Sequence, residues 1–239
     1  MLKNKVAIVT GASKGIGKQI ALDLAQAGVR VMLTARSENL LNNVEKEITQ
    51  SNGVASSFAC DLKNEESIVE LISNTIEYFG QLDILICNAG MGEFGPCEKT
   101  ATENYDNIMA INARAPFLLF RECIPYLKKM EKSFIIAIGS VVSVKGYENQ
   151  AAYSASKHAL MGMCKSIAKE VQADGTRVHM ICPGGVNTEL VTRARPDLDT
   201  SVLMQPDDIA DSVMFLLTRK GNAVIDEIHL HREANTPFA

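Results

Sequence analysis

Short apolar runs alternate along this chain with longer segments in which apolar residues recur every three or four positions. The short runs are rich in β-branched residues, as strands are, and the longer segments have the period of amphipathic helices. The pattern predicts strands over 5–11, 29–35, 54–60, 82–88, 133–139, 176–182 and 223–230. It predicts helices near 15–27, 38–50, 65–79, 104–130, 154–172 and 207–218.

The alternation of strands and helices indicates repeated β–α–β units, which build a parallel sheet with right-handed crossovers. Several central strands are apolar at nearly every position, as expected when helices cover both faces of the sheet. No linker, repeat or low-complexity segment interrupts the pattern. We therefore predict an α/β fold in which residues 1–239 form a single domain, with a doubly wound parallel sheet of about seven strands flanked by helices.

Composition excludes several classes of function. The net charge of −4 offers no basic surface for nucleic acid or for an anionic membrane. The apolar runs are too short to cross a bilayer, and the chain starts with a strand-like segment instead of a signal peptide, so a cytoplasmic location is expected.

The six cysteines include no C-x-x-C pair and are predicted to be reduced thiols. His229 and His231 have no Cys or acidic partner at ligand spacing, so no metal site is predicted.

A glycine-rich turn, TGASKGIG, follows the first strand and places Gly11, Gly15 and Gly17 before a helix. Glycines at this position allow the backbone to approach a pyrophosphate, and the start of the helix presents free N–H groups to the anion. The spacing differs from G-x-G-x-x-G, and a glycine turn without a ligand would look the same. Its place between an N-terminal strand and a helix favours a dinucleotide.

The end of the second strand indicates which dinucleotide is bound. A carboxylate there would bind the adenosine 2′-hydroxyl and repel a 2′-phosphate, but the residues are Thr34, Ala35 and Arg36. Lys14 in the glycine turn supplies a second cation, and two cations suit a phosphate ester. The alternative is that both are solvated surface charges. NADP(H) is favoured over NAD(H).

Two further strand ends carry candidate cofactor residues. Asp61 follows the third strand, where a carboxylate can accept a hydrogen bond from an adenine amino group, although an Asp in a simple turn is the competing interpretation. Asn88, Ala89 and Gly90 end the fourth strand, where small residues leave room for a ribose. A plain turn at the end of a strand would have the same composition.

The segment YSASK places Tyr153 and Lys157 four residues apart on a predicted helix, so that both share one face. A phenol has a pKa near 10, and a neighbouring ammonium is expected to lower it. Tyr153 would then exchange a proton with a carbonyl or alcohol oxygen, while Lys157 would also bind ribose hydroxyls.

Ser140, which follows the fifth strand, can hydrogen-bond the same substrate oxygen. Asn112 lies within a predicted helix, where Asn is a poor helix former, and its carbonyl could hold a water that relays protons to Lys157. The alternatives are a Ser that only ends a strand and an Asn on the surface of a helix.

The order and approximate spacing of these motifs resemble those of the short-chain dehydrogenase/reductase family. The motifs that carry the resemblance are T-G-x-x-x-G-I-G, Asp61, N-A-G, Asn112, Ser140, Tyr-x-x-x-Lys and PGGVNT at 183–188. The resemblance covers nearly the whole chain. It implies a Rossmann-type seven-stranded sheet and an Asn112–Ser140–Tyr153–Lys157 catalytic tetrad. The cofactor-binding residues that it implies are Gly11, Ser13, Lys14, Gly15, Ile16, Gly17, Arg36, Asp61, Leu62, Asn88, Ala89, Gly90, Tyr153, Lys157, Pro183, Gly184, Val186 and Thr188.

The resemblance also implies a substrate lid, here a short segment at 189–205, and a short lid suggests a permissive site. The expected function is an NADP(H)-dependent oxidoreductase that acts on a small carbonyl or alcohol substrate and forms a homodimer or homotetramer.

One alternative is a 3-oxoacyl-(acyl-carrier-protein) reductase, although the chain lacks the glycine-rich C-terminal ending of many such enzymes. Its acidic carrier would need a cationic patch, for which the candidates are Arg114, Arg121, Lys128 and Lys129. The other alternative is a non-catalytic dinucleotide sensor.

Overall fold

The computed structural model describes residues 2–194 and 199–235. One sheet contains seven strands in the order β3-β2-β1-β4-β5-β6-β7, and every pairing is parallel. The strands are β1 Val6–Thr10, β2 Arg30–Ala35, β3 Val54–Ala59, β4 Ile84–Cys87, β5 Ser133–Ile138, β6 Thr176–Pro183 and β7 Glu227–Leu230. The prediction of a doubly wound parallel sheet is confirmed.

The helices fill the segments between the strands. They are α1 Gly15–Gln26, α2 Glu38–Gln50, α3 Glu65–Phe79, α4 Thr102–Met109, α5 Ala115–Leu127, α6 Ala151–Val171, α7 Glu189–Ala194 and α8 Pro206–Thr218. In the part of the chain that the structure describes, no helix is both long and apolar enough to span a membrane.

The sheet separates two hydrophobic cores. Ala7 and Val9 of β1 face a core that includes α1, α2 and α8, whereas Val6 and Ile8 face a core that includes α3, α5 and α6. All four residues are fully buried. Strands with helices on both faces need apolar residues at successive positions, which explains the continuous apolar runs in the sequence.

The predicted helix at 104–130 is divided in the structure. A π turn over Ala110–Arg114 separates α4 from α5, and the N–H of Ala115 donates to the carbonyl of Ala110, five residues earlier. Pro116 accounts for this break, because it has no N–H for the carbonyl of Asn112 and its ring would clash with that carbonyl in a regular α-helix.

Two other differences concern the C-terminal third of the chain. Strand β7 begins at Glu227 instead of residue 223, and α7 was not predicted. Residues 195–198 of the predicted lid at 189–205 lie outside the described residues.

Candidate active site

The predicted site residues meet at the carboxyl edge of the sheet. β2 and β4 pair with opposite sides of β1, so the chain reverses direction across the sheet at this point. Such switch points are where doubly wound sheets bind ligands. The glycine turn after β1, Asn88 after β4 and Ser140 after β5 all lie at this edge.

The glycine turn has a backbone that side chains would obstruct. Gly11 and Gly15 have φ of 67° and 56°, in the left-handed region that favours glycine. A Cβ on Gly17 would lie 2.3 Å from the carbonyl oxygen of Gly11, so the close approach of α1 to β1 requires glycine here. Helix α1 begins at Gly15 with no acidic residue in its first turn. These features fit the pyrophosphate of a dinucleotide.

A hydrogen-bonded link holds the glycine turn against the end of β4. The Thr10 hydroxyl donates to the carbonyl of Ile86 at 3.1 Å and accepts from the N–H groups of Asn88 and Ala89 at 2.9 and 3.0 Å. The Asn88 amide donates back to the Thr10 carbonyl at 2.9 Å. Asn88 therefore supports the turn. Sequence reasoning missed Thr10, whose polar side chain at the end of an apolar strand was the available signal.

The two cations predicted to bind a 2′-phosphate lie in different surroundings. Lys14 is exposed and forms an ion pair with Glu189, the first residue of α7. Arg36 is exposed directly after β2, where neither Thr34 nor Ala35 supplies an acid. The ion pair connects the glycine turn to the start of the predicted lid, a contact that sequence reasoning did not foresee.

Asp61 and Leu62 follow β3 and differ in exposure. Asp61 is exposed, and its Oδ1 accepts a hydrogen bond from the N–H of Lys63 at 3.0 Å. This is the turn contact that the sequence left open as an alternative, and it leaves the other carboxylate oxygen available to a ligand. Leu62 is buried in the core beside α3.

The PGGVNT segment continues from β6 along the same edge. Pro183 ends the strand, the N–H of Gly184 donates to the carbonyl of Leu230 at 2.8 Å, and Val186 is buried. The Thr188 hydroxyl donates to the carbonyl of Val186 at 3.3 Å. A Cβ on Gly15 would lie 3.4 Å from Cγ2 of Thr188, so this segment contacts the glycine turn.

Asn112 occupies the π turn and is buried, which excludes the alternative of a surface residue. Its side-chain amide bonds both backbone groups of Met91: Oδ1 accepts from the N–H at 2.9 Å, and Nδ2 donates to the carbonyl at 2.8 Å. Nδ2 also donates to Oγ of Ser156 at 3.0 Å. The amide therefore holds the segment after β4 against α6.

Tyr153, Ser140 and Lys157 form the polar centre of the site. Tyr153 hydrogen-bonds the Ser140 side chain, and Nζ of Lys157 lies 5.8 Å from the centre of the Tyr153 ring. Lys157 is only 4% exposed and donates to the carbonyl of Ile138, at the end of β5, at 3.0 Å. The ring of Phe94 packs edge-on against Tyr153 with a centroid distance of 5.4 Å.

Burial shifts the pKa values of Tyr153 and Lys157 in opposite directions. It raises the pKa of Tyr153 to about 12, although the hydrogen bond with Ser140 acts in the opposite direction. Burial lowers the pKa of Lys157 to about 8. The predicted lowering of the Tyr153 pKa by Lys157 is therefore wrong, because desolvation of the phenolate raises this pKa and outweighs the hydrogen bond with Ser140. At neutral pH the phenol keeps its proton.

Comparison with known proteins identifies the family and the fold. The family described as short chain dehydrogenase matches residues 5–199. This chain belongs to the short-chain dehydrogenase/reductase family. Its sheet is accordingly of the Rossmann type, and the resemblance seen in the sequence motifs is confirmed.

Individual members of the short-chain dehydrogenase/reductase family are similar over nearly the full length. An uncharacterized oxidoreductase of Thermotoga maritima is 32% identical over 85% of this chain and 80% of its own. A 3-oxoacyl-(acyl-carrier-protein) reductase of Vibrio cholerae is 33% identical over 95% of both. A metagenomic short-chain oxidoreductase solved with NADP is 36% identical, with a TM-score of 0.85 over 96% of this chain and 98% of that one.

A more distant short-chain dehydrogenase/reductase structure is similar in fold. The alcohol dehydrogenase of Thermococcus sibiricus, complexed with 5-hydroxy-NADP, is 27% identical, with a TM-score of 0.90 over 98% of each chain.

Other polar groups of this short-chain dehydrogenase/reductase have contacts away from the candidate site. Within residues 2–194 and 199–235, no three His, Cys, Asp or Glu side chains gather as metal ligands. His229 contacts Glu227, with Nε2 3.2 Å from Oε2.

Proposed function

We propose that this short-chain dehydrogenase/reductase is an NADP(H)-dependent carbonyl reductase or alcohol dehydrogenase. The observation that carries the proposal is the phenol of Tyr153, which hydrogen-bonds Ser140 at the carboxyl edge of the sheet and has Nζ of Lys157 5.8 Å from its ring centre. The glycine turn lies at the same edge. NADPH, when bound, supplies the hydride, and the protein supplies the proton and the geometry.

Each residue of the tetrad has a distinct role in this proposal. Tyr153 donates its proton to the substrate oxygen, and Ser140 donates a hydrogen bond to the same oxygen as charge develops on it. Lys157 stabilises the phenolate left after proton transfer and binds the ribose. Asn112 holds the segment after β4, and its carbonyl, which Pro116 cannot bond, can bind the relay water.

We propose NADP(H) as the cofactor because Lys14 and Arg36 are exposed cations and no acid ends β2. The metagenomic relative solved with NADP supports this choice. The contacts proposed for the rest of the cofactor are those of Gly11, Ser13, Gly15, Ile16, Gly17, Asp61, Leu62, Asn88, Ala89, Gly90, Pro183, Gly184, Val186 and Thr188.

The decisive experiment substitutes Tyr153→Phe and follows the loss of NADPH absorbance with a panel of carbonyl compounds. The panel contains an aromatic ketone, an aldehyde, an α-diketone, a quinone and a 3-oxoacyl thioester. We expect the rate to fall about a hundred- to ten-thousandfold because the proton donor is lost. Tyr78→Phe removes an exposed phenol from α3 and is the matched control. Full activity in Tyr153→Phe would refute the proposal.

Cofactor preference is tested separately with Arg36→Asp. A carboxylate at this position would repel a 2′-phosphate and accept a hydrogen bond from a 2′-hydroxyl, so the ratio of NADPH to NADH efficiency should fall at least tenfold. An unchanged ratio would remove Arg36 from the phosphate site.

A carrier-protein substrate is the second candidate, because the similar Vibrio cholerae protein is a 3-oxoacyl-(acyl-carrier-protein) reductase. The candidate cationic patch is largely neutralised within the structure. Arg114 and Arg121 share the carboxylate of Glu65 at 2.9 and 2.8 Å, and Lys128 pairs with Asp174 at 2.8 Å. These ion pairs favour a free carbonyl compound. Reduction of the carrier-bound thioester faster than every free ketone would favour the second candidate.

We also propose that the protein is a cytoplasmic homodimer or homotetramer. Phe117 on α5 is 49% exposed and offers an apolar contact. Light scattering after size-exclusion chromatography measures the oligomeric state, and a Phe117→Glu variant should shift it towards the monomer.

The alternative of a non-catalytic dinucleotide sensor has its own test. Tight NADPH binding without reduction of any carbonyl compound would indicate the sensor.

A further inference from the structure

A buried hydroxyl joins the two helical segments that carry the candidate catalytic residues. Ser156 lies in α6 next to Lys157 and has no exposed surface. Its Oγ donates to the carbonyl of Tyr153 at 2.7 Å and accepts from Nδ2 of Asn112 at 3.0 Å. One side chain therefore connects the helical turn that bears the phenol with the π turn that bears the amide.

The contacts around Ser156 leave the Asn112 amide no spare donor. One N–H of Nδ2 bonds the carbonyl of Met91 and the other bonds Ser156, while Oδ1 accepts from the N–H of Met91. The two bonds to Met91 also fix which end of the amide faces Ser156, because only Nδ2 can donate. Without the hydroxyl, a buried N–H would lose its acceptor.

Gly90, in the segment after β4, packs close to both the Asn112 amide and the Lys157 ammonium. A Cβ on Gly90 would lie 3.4 Å from Oδ1 of Asn112 and 3.6 Å from Nζ of Lys157. A shift of α6 relative to the π turn would therefore move the ammonium and the phenol relative to the segment after β4.

We propose that Ser156 is a positioning residue of the reaction, which sets the distance of Tyr153 and Lys157 from the Asn112 turn. A serine that bonds a carbonyl within its own helix contributes little to helix stability. The contact with Asn112, however, crosses between two elements and ends on the segment that carries the catalytic pair. The inference rests on the proposed role of Tyr153 as the proton donor.

The experiment measures kcat, its pH profile and the dissociation constant of NADPH for Ser156→Ala and Ser156→Cys. Cysteine leaves no cavity at this packed position, although its sulfur is somewhat larger than the hydroxyl oxygen, and it is a weak acceptor, so it tests the hydrogen bond even where alanine prevents folding. The substrate is the compound of the carbonyl panel that the wild type reduces fastest. The control is Thr75→Ala in α3, where a buried hydroxyl bonds the carbonyl of Leu71 at 2.7 Å.

For Ser156→Ala we expect kcat per folded enzyme to fall about ten- to a hundredfold, the effect of a displacement below about 1 Å. Ser156→Cys should lie between alanine and wild type, and the pH at which kcat is half-maximal should move in both variants. The dissociation constant of NADPH should change much less than kcat. Thr75→Ala should lose stability and keep both kcat and its pH profile.

Two negative results have different meanings. If Tyr153→Phe is inactive but Ser156→Cys or Ser156→Ala keeps the wild-type kcat and pH profile, Ser156 is only a packing residue and the inference is wrong. If Tyr153→Phe retains activity, the proposed function itself is wrong.

Discussion

The buried ammonium of Lys157 should make the stability of this protein increase as the pH rises above neutral. Burial lowers the pKa of this group from 10.5 to about 8. At about 1.4 kcal/mol for each pKa unit, the charged form of Lys157 lowers the free energy of unfolding at neutral pH by roughly 3 kcal/mol relative to the uncharged form. The substitution Lys157→Met removes the charge and retains most of the side-chain volume.

The hydrogen bond to the carbonyl of Ile138 reduces this gain, because Met leaves the carbonyl without that donor. A lost hydrogen bond from a charged donor costs about 1.5–3 kcal/mol. At pH 7 the free energy of unfolding of Lys157→Met should therefore equal or exceed that of the wild type by about 1 kcal/mol, while the activity is lost.

The dependence on pH provides the more specific result. Between pH 8 and 10.5 the unfolded chain holds a proton on this lysine that the native state has released, so the wild type gains stability as pH rises. Relative to Lys157→Met, the wild type should gain roughly 1.5 kcal/mol between pH 7 and 9. The raised pKa of Cys60, about 11, acts in the opposite direction as pH rises above 9, but it does so in both proteins because burial, and not Lys157, is its main cause.

The assay is urea unfolding of the cofactor-free proteins, followed by circular dichroism at pH 7, 8 and 9. Lys169→Met, which removes an exposed lysine from the same helix, measures the effect of losing one positive charge. A difference between wild type and Lys157→Met that stays constant from pH 7 to 9 would refute the assignment of a depressed pKa to the buried ammonium.

Three further substitutions test other parts of the site. Thr10→Val removes the acceptor of two backbone N–H groups and should cost about 2–4 kcal/mol in urea unfolding; a loss below 1 kcal/mol would contradict its structural role. Gly17→Ala places a Cβ 2.3 Å from a backbone oxygen of the turn and should weaken NADPH binding at least tenfold by calorimetry. Glu189→Gln frees Lys14 from its ion pair and should tighten NADPH binding about two- to fivefold with no change for NADH. The matched Glu47→Gln, which breaks another exposed ion pair, should leave both constants unchanged, and an equal effect of the two variants would exclude a specific contact.

Local patterns in the sequence predicted most of the fold. The strands and the helices α1, α2, α3, α6 and α8 follow from apolar periodicity, and parallel strands place their carboxyl ends at one edge. The glycine turn was recognisable because Gly11 and Gly15 adopt left-handed backbone conformations that favour glycine, and this requirement is local to the turn. Tyr153 and Lys157 were recognisable because four residues on a helix bring two side chains to one face.

The tertiary structure alone decided how these residues are held and how acidic they are. The rise in the Tyr153 pKa depends on what surrounds the phenol, and the partners of Asn112 are 21 and 44 residues away in the chain. The pairing of Lys14 with Glu189 joins residues 175 positions apart. Periodicity records only which face of an element is buried, whereas desolvation and hydrogen bonding depend on the atoms that other elements bring to that face. The sequence by itself therefore determined the fold and placed the candidate site residues at one edge of the sheet, and the packing of distant segments determined the hydrogen bonds and pKa shifts of those residues.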